Sequence, residues 1–229
     1  MKTLGIIGGM SSFSTLIYYK DINEKINNQL GGSNSAKILL YSVNFSDFRA
    51  LLEKNDWDGI EKMLSDIAQR LENAGADCIL IATNTPHHIA DILSRKIKIP
   101  LLHIAEETAK EIVKQKICKV GLIGTKFTME NSFFKDRLNM FGIETIIPDD
   151  SDRDFIHTAI FSELSKGILK EETKIKYIEI IEKLKLKGAE GIILGCTEIF
   201  LLIKQEDSSI KVFDTTAIHV NAAVNFALS

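Results

Sequence analysis

Two stretches of the chain, one in each half, carry the same pattern: GADCILIAT at residues 75–83 and GAEGIILGC at residues 188–196. Each starts with glycine, alanine and an acidic residue and continues into an apolar run that is too short for a helix. Glycine commonly follows a helix end, so the pattern predicts a helix exit and then a buried strand. Thr83 and Cys196 stand at the same position, eight residues after the glycine.

A second pair of similar segments lies upstream: LGIIG at residues 4–8 and VGLIG at residues 120–124. Each is typical of a short buried strand that ends in a glycine turn. The two glycine landmarks are 67 positions apart in the first half, from Gly8 to Gly75, and 64 apart in the second. This near-constant spacing indicates an internal repeat. The alternative is two unrelated strand–helix units that share the general pattern of α/β proteins.

Helices and strands alternate between these landmarks. Apolar residues near helical spacing predict helices over residues 13–28, 55–73 and 171–186, and residues 35–43 are typical of a strand. Such alternation favours mainly parallel sheets with right-handed crossovers. We therefore predict an α/β fold with two units.

The boundary between the two units is predicted at residues 96–100. The segment from residue 210 onwards contains a short VFD strand and a final helix. We expect this segment to return to the first unit, because it would give the first sheet its last strand. The predicted units are residues 1–97 with 209–229, and residues 98–208.

Composition narrows the range of functions. The formal net charge is −3, and lysine and arginine are scattered along the chain, so nothing favours binding to nucleic acid. No apolar run approaches the ~20 residues that span a bilayer, and the N-terminus does not resemble a signal peptide. We therefore expect no membrane partner and a cytoplasmic protein, in which the three cysteines stay reduced. Cys78 and Cys118 are expected to be buried packing residues.

The chemistry is expected in the loops that follow the strands, because open parallel sheets bind ligands beyond the carboxyl ends of their strands. These loops include GGMSS at residues 8–12, TNTP at 83–86 and GCTE at 195–198. Cys196 is at a strand end in front of a predicted helix, where backbone N–H groups stabilise a thiolate. If the halves face each other across a cleft, Cys196 and Thr83 approach a ligand from opposite sides. That geometry would remove a proton from one face of a carbon and return it to the other.

Two cofactor classes are disfavoured. The GGMSS loop lacks the GxGxxG dinucleotide pattern, and no Gly-Lys-Ser/Thr follows it. His87 and His88 are adjacent and so point to different helix faces, and no carboxylate-rich partner motif suggests a metal site. We therefore predict neither a dinucleotide site nor a metal site. His103 and His219 are expected to be structural.

At these loops the sequence closely resembles the aspartate/glutamate racemase family. The resemblance covers essentially the whole chain. It rests on GGMS at residues 8–11, TNT with His87, GT with Thr128 and Met129 in the second half, GCTE, and FDTT with His219 near the end. The GCTE and TNT motifs in register are specific, whereas the glycine turns are not.

The family implies two pseudo-symmetric Rossmann-like subdomains, each a mainly parallel four-stranded sheet flanked by helices, with the active site in the cleft between them. It also implies a homodimer, and racemisation of a small acidic amino acid without pyridoxal phosphate or metal. Two facing residues, generally both cysteines, serve as thiolate base and thiol acid. Carried over, these are Cys196 and Thr83. The resemblance further suggests as substrate-contacting residues Met10, Ser11, Asn84, Thr85, Thr125, Thr128, Thr197 and Glu198.

Two basic residues are candidates for the substrate carboxylate. Lys166, followed by Gly167, resembles the position at which some relatives hold that group. Arg49 lies after a strand-like stretch at residues 42–45, near another contact point of the family. The alternative for each is an ordinary solvated charge.

Thr83 departs from the family pattern. A free cysteine has a pKa near ~8.5, whereas a threonine hydroxyl is a far weaker acid and a poor resting base. The sequence leaves three outcomes open: an asymmetric racemase with Thr83 as proton relay, a slow racemase, or a single-cysteine decarboxylase or isomerase of the same superfamily. A binding protein for acidic amino acids that has lost catalysis is a further alternative.

Overall fold

The computed structural model describes all residues, Met1–Ser229, and the chain divides into two compact units. The first contains Met1–Ile104 together with His219–Ser229, and the second contains Ala105–Ile218. Each unit consists of a parallel sheet flanked by helices, so the predicted α/β class is confirmed. None of the helices combines the length and the apolar composition that a bilayer crossing requires.

Strands and helices follow each other along the chain. The seven strands are β1 (Thr3–Gly8), β2 (Lys37–Ser42), β3 (Cys78–Ile81), β4 (Lys119–Ile123), β5 (Glu144–Ile146), β6 (Gly191–Leu194) and β7 (Lys211–Asp214). The helices are α1 (Ser12–Leu30), α2 (Phe45–Glu53), α3 (Trp57–Asn73), α4 (Ala90–Ser94), α5 (Ile104–Lys114), α6 (Lys126–Glu130), α7 (Ser132–Asn139), α8 (Asp150–Ser162), α9 (Glu171–Leu186), α10 (Ile199–Leu202) and α11 (Thr215–Leu228). Short 3₁₀ turns cover Thr85–Ile89, Leu164–Lys166 and Gln205–Asp207.

The sheet of the first unit has the order β2-β1-β3, and all its pairs are parallel. Because successive side chains of a strand point to opposite faces, β1 and β3 contribute to two cores. Leu4 and Leu80 belong to the core that contains α1 and α11, and Ile7 and Ile81 belong to the core that contains α3. Helices therefore cover both faces of this sheet, as a parallel sheet requires.

The expectation of four strands in the first sheet is wrong. Beyond β3 there is only an isolated parallel bridge between Ile79 and Leu101. The N–H of Ile79 donates to the carbonyl of Pro100 over 2.9 Å, and the N–H of Leu102 donates to Ile79. Proline has no N–H to extend a ladder, so this edge stays a single contact.

The sheet of the second unit has the order β5-β4-β6-β7 and is also parallel. The prediction that the VFD strand completes the first sheet is therefore wrong, because β7 pairs with β6 instead. Buried Phe213 of β7 packs over Gly191 of β6, where an added Cβ would lie 2.6 Å from its ring. Of the predicted C-terminal segment, only the part from His219 onwards lies in the first unit.

The repeat seen in the sequence has the same structural basis in both units. Gly75 and Gly188 end their helices with φ of 95° and 94°, a left-handed conformation that glycine adopts without steric cost. The acid two residues later then binds the start of the neighbouring strand. Asp77 accepts from the N–H of Thr3, and Glu190 accepts from the N–H of Lys119.

The predicted secondary elements agree closely with the observed ones, including α9 at residues 171–186. Buried Cys78 agrees with the prediction. The prediction for Cys118 is wrong, because this residue is exposed where the chain enters β4.

Candidate active site

In the first unit, the loop after β1 is held tightly before α1 begins. Gly9 has φ of 86°, and a Cβ there would lie 2.2 Å from the carbonyl oxygen of Val43, so only glycine fits. Its N–H donates to the Thr15 hydroxyl over 2.9 Å. Ser11 is the N-cap of α1 and accepts from the N–H of Ser14. These contacts fix the backbone of the predicted contact residues Met10 and Ser11 at the end of β1.

The loop after β3 carries Thr83 and lies beside the β1 loop, because β1 and β3 are neighbouring strands. The hydroxyl of Ser14, in the first turn of α1, donates to the carbonyl of Ala82 over 2.7 Å and so joins the start of α1 to the loop after β3. Thr83 and Thr85 are partly exposed, whereas Asn84 between them is buried. The first unit thus brings five predicted site residues to one sheet edge: Met10, Ser11, Thr83, Asn84 and Thr85.

The second unit forms the equivalent edge from the ends of β4 and β6. The Thr125 hydroxyl caps α6 by accepting from the N–H of Thr128, and the two hydroxyl oxygens are 3.1 Å apart. The N–H of Gly195 donates to the carbonyl of Ile123 over 2.7 Å. A Cβ on Gly124 would lie 2.9 Å from the Gly195 oxygen, so the two loops approach at backbone distance.

Cys196 follows Gly195 at this edge and is partly buried. Its thiol donates to Oε2 of Glu198 over 3.0 Å. The hydroxyl of Thr197 donates to the same oxygen over 2.9 Å. The backbone N–H groups of Glu198 and Thr197 favour a negative charge on the sulfur of Cys196. Sulfur, carboxylate and hydroxyl therefore form one contiguous polar group.

The pKa of Cys196 is raised well above the ordinary value of a cysteine. Burial is the largest cause, followed by the charge of the Glu198 carboxylate and its hydrogen bond to the thiol. The two backbone N–H groups act in the opposite direction but are outweighed. The backbone N–H groups thus act in the expected direction, but the expected net stabilisation of the thiolate is wrong: α10 has only four residues, and a carboxylate lies next to the sulfur.

The two basic candidates differ in their surroundings. Lys166 is exposed at the end of the Leu164–Lys166 turn, which packs against α10, the helix directly after the Cys196 loop. Arg49 lies on α2, and its Nε contacts Oε1 of Glu53 over 2.7 Å with both side chains mostly exposed. Such an exposed i,i+4 pair contributes little to stability.

Sequence reasoning assigned Glu198 to the substrate and missed its contact with Cys196. The i,i+2 spacing in GCTE was the available signal. It also missed Thr216 at the start of α11, whose buried hydroxyl has no hydrogen-bond partner. The adjacent Thr215 donates its hydroxyl to the carbonyl of Leu194, the last residue of β6. No group of three His, Cys, Asp or Glu side chains is arranged to hold a metal ion.

Solved structures share this fold over the full length of the chain. A candidate Asp/Glu racemase from Yersinia pestis is 49% identical with a TM-score of 0.96, and each chain covers 100% of the other. An aspartate racemase homologue from Pyrococcus horikoshii is 38% identical with a TM-score of 0.89, again over 100% of both chains.

A further relative is similar in sequence over nearly its full length. The broad specificity amino-acid racemase RacX of Bacillus subtilis is 25% identical over 99% of this chain and 98% of its own length. The relatives are racemases by name, which confirms the expectation of an isomerase of the amino-acid racemase type. Residues 7–223 match the family described as Asp/Glu/Hydantoin racemase, and the chain belongs to that family.

Proposed function

We propose that this protein racemises aspartate or glutamate without pyridoxal phosphate, by moving a proton on and off the substrate Cα with Cys196 and Thr83. The observation that carries the proposal is the 3.0 Å hydrogen bond from the Cys196 thiol to the Glu198 carboxylate. It supplies the thiol with a proton acceptor. The names of the relatives, which include aspartate and glutamate racemases, agree with the choice of substrate.

Cys196 and Glu198 act together as the base. In the first step the thiol proton moves to Oε2 of Glu198, and the resulting thiolate is stabilised by the N–H groups of Thr197 and Glu198. The thiolate then takes the proton from Cα. The electron pair of the broken C–H bond stays on the substrate, delocalised into its carboxylate. A base held within hydrogen-bond reach of its proton acceptor is the usual arrangement for such a step.

Thr83 delivers a proton to the opposite face of the same Cα. Its hydroxyl forms the new C–H bond and takes up a proton from water in return. The hydroxide left behind is neutralised by the proton that Glu198 releases, so the cycle ends where it began. Because threonine is a weak acid and a poor base, the enantiomer whose Cα–H faces Cys196 reacts faster than the other.

The acidic side chain of the substrate requires a cationic partner. Lys166 has no ion pair or side-chain hydrogen bond of its own, and its turn packs against the helix that follows Cys196. We assign it to the distal carboxylate. Arg49 is already paired with Glu53 and is the second candidate for this role.

The test uses the four amino acids L- and D-aspartate and L- and D-glutamate, each incubated with the protein in deuterium oxide. NMR follows the loss of the Cα proton, and chiral chromatography follows inversion. We expect exchange and inversion for one of these amino acids, faster from one enantiomer. Absence of exchange with all four would overturn the proposed function.

A further inference from the structure

Four buried ring side chains lie directly behind the Thr83 loop in the first unit: Tyr18, His87, His103 and His219. The ring of His87 is at the centre of this cluster. Its centroid is 4.8 Å from that of His103 and 5.8 Å from that of His219. Tyr18 packs edge-on against His219 at 5.6 Å. Three of the four side chains are imidazoles. They are buried and do not form a metal-binding group.

The proton positions at His219 follow from its partners. Nε2 is 2.9 Å from the carbonyl oxygen of Leu102, which can only accept, so Nε2 carries the proton. Nδ1 then accepts from the hydroxyl of Tyr18 over 2.8 Å. Burial lowers the pKa of His219 to about 4, so the ring is neutral at pH 7. His219 thereby ties α11 to the chain at residue 102.

The proton positions at His87 follow in the same way. Its Nδ1 is 2.9 Å from the carbonyl oxygen of Thr83, so Nδ1 carries the proton and donates. Burial, with smaller effects from His103 and His219, lowers the pKa of His87 well below its usual value. The ring is therefore neutral and its Nε2 is unprotonated. This buried Nε2 has no hydrogen-bond partner.

The ring and the backbone of His87 hold two successive carbonyls. The ring binds the carbonyl of Thr83, and the backbone N–H donates to the carbonyl of Asn84 over 3.0 Å. Burying a ring nitrogen without a partner is unfavourable, so an apolar residue would suit this position better if packing were its only purpose. What the imidazole adds is the Nδ1–H bond to Thr83.

We propose that His87 is a positioning residue for Thr83. The Nδ1–H bond fixes the peptide of Thr83, and this sets the direction of its hydroxyl. His103 and His219 pack against the imidazole and keep its orientation. The inference rests on the proposed function, since it concerns proton delivery by Thr83. It predicts that a substitution that removes the Nδ1–H bond impairs inversion, whereas removal of the Cα proton by Cys196 continues.

Two substitutions separate the two ring nitrogens. His87→Asn keeps an amide N–H near the position of Nδ1, and His87→Gln places its amide near the position of Nε2. His88→Asn is the matched control, because His88 is the exposed neighbour whose ring packs on Trp57. The measurement is the ratio of inversion to Cα deuterium exchange with retention, for the enantiomer whose Cα–H faces Cys196. Circular dichroism confirms folding.

We expect H87Q to lower that ratio by about tenfold or more, because small displacements of a reacting group slow the reaction strongly. H87N should keep most of the wild-type ratio. H88N should leave the ratio unchanged. If the wild type exchanges but H87Q keeps the wild-type ratio, or if exchange and inversion fall together, the His87 proposal is overturned alone. If the wild type shows no exchange, the proposed function is overturned and this inference with it.

A second measurement needs no variant. Long-range ¹H–¹⁵N NMR of the wild type distinguishes protonated from bare ring nitrogens. We expect a protonated Nδ1 and a bare Nε2 for His87, with the reverse for His219. A His87 that is protonated on Nε2, or on both nitrogens at pH 7, would have a different set of partners and would overturn the proposal even if H87Q failed to fold.

Discussion

The thiol of Cys196 and the carboxylate of Glu198 are joined by a hydrogen bond of 3.0 Å, and the same carboxylate oxygen binds the hydroxyl of Thr197. A carboxylate at this distance has two opposing effects on the thiol. It favours the protonated sulfur, which raises the pKa of Cys196, and it offers the thiol proton an acceptor. Substitution of Glu198 separates these two effects.

Glu198→Gln should make Cys196 a more reactive thiol and a worse catalyst. Removing the charge lowers the pKa of Cys196, so its alkylation by iodoacetamide at pH 8 becomes faster. Loss of the proton acceptor should slow Cα exchange by about 10²-fold, the lower end of general-base contributions. The measurements are alkylation rates by mass spectrometry, in a Cys118→Ser background to remove the exposed cysteine, and exchange rates by NMR.

The control for this variant is Glu206→Gln, which alters an exposed carboxylate in the same unit. It should change neither rate. Slower alkylation in E198Q, or exchange at the wild-type rate, would contradict the assignment of Glu198 as the acceptor.

Substitutions of Thr83 should affect inversion more than exchange. Thr83→Ser keeps the hydroxyl and should keep inversion. Thr83→Ala should reduce inversion by about 10²-fold while deuterium still enters the enantiomer that faces Cys196. Thr83→Cys should speed the slow direction selectively, because a thiol is a far stronger acid and its thiolate a usable base. An equal change in both directions for T83C, measured by chiral chromatography, would contradict the role of Thr83.

Lys166→Met should weaken substrate binding and leave the chemical step intact. A charged hydrogen bond contributes about 1.5–3 kcal/mol, so KM for the acidic amino acid should rise by about tenfold or more with little change in kcat. Arg49→Met should have a smaller effect, because Arg49 is paired with Glu53. Lys62→Met, on the exposed side of α3, is the control. An unchanged KM in K166M would place the carboxylate elsewhere.

The buried histidines should make the fold sensitive to acid. His219 has its pKa lowered from 6.5 to about 4 by burial, so the unfolded chain binds a proton more tightly than the folded one. The stability is therefore fully present above pH 6.5 and is lost as the pH falls towards 4. Between pH 7 and pH 4.5 His219 alone should lower the free energy of unfolding by on the order of 2–3 kcal/mol. Denaturant titrations at the two pH values measure this loss.

His219→Gln is the informative variant for that experiment, since its amide can still donate to Leu102 but does not titrate. It should show a smaller loss of stability between pH 7 and pH 4.5 than the wild type. His88→Asn should retain most of the loss, because burial lowers the pKa of the exposed His88 less than that of the fully buried His219. Equal losses in the wild type and H219Q would show that other groups control the acid response.

The repeat could be predicted from the sequence because it depends on local chemistry. A left-handed glycine, a small residue and an acid that binds the next strand recur at Gly75–Asp77 and Gly188–Glu190 with the same geometry. The edge of each sheet could not be predicted in this way. Leu101 forms a single bridge with Ile79, and β7 pairs with β6, where Phe213 contacts Gly191. Both contacts join residues that are distant in sequence.

The candidate site, like the fold, could be predicted where it depends on local sequence and not where it depends on long-range packing. Cys196 and Thr83 were found from their position in the repeat, and each lies at the carboxyl edge of its sheet. The acidity of Cys196 was predicted in the wrong direction, because a strand end suggested helix N–H groups and the Glu198 carboxylate was assigned to the substrate rather than to the sulfur. The role of His87 was hidden for a related reason. Its contacts with His103 and His219 join distant parts of the chain.

The central claim is that Cys196 is the acid/base group at Cα. The most direct measurement compares deuterium incorporation into aspartate and glutamate by the wild type, Cys196→Ala and Cys118→Ala, with folding checked by circular dichroism. We expect exchange by the wild type and C118A, and a rate lower by about 10²-fold or more in C196A. A folded C196A that exchanges the Cα proton at the wild-type rate would contradict this role of Cys196.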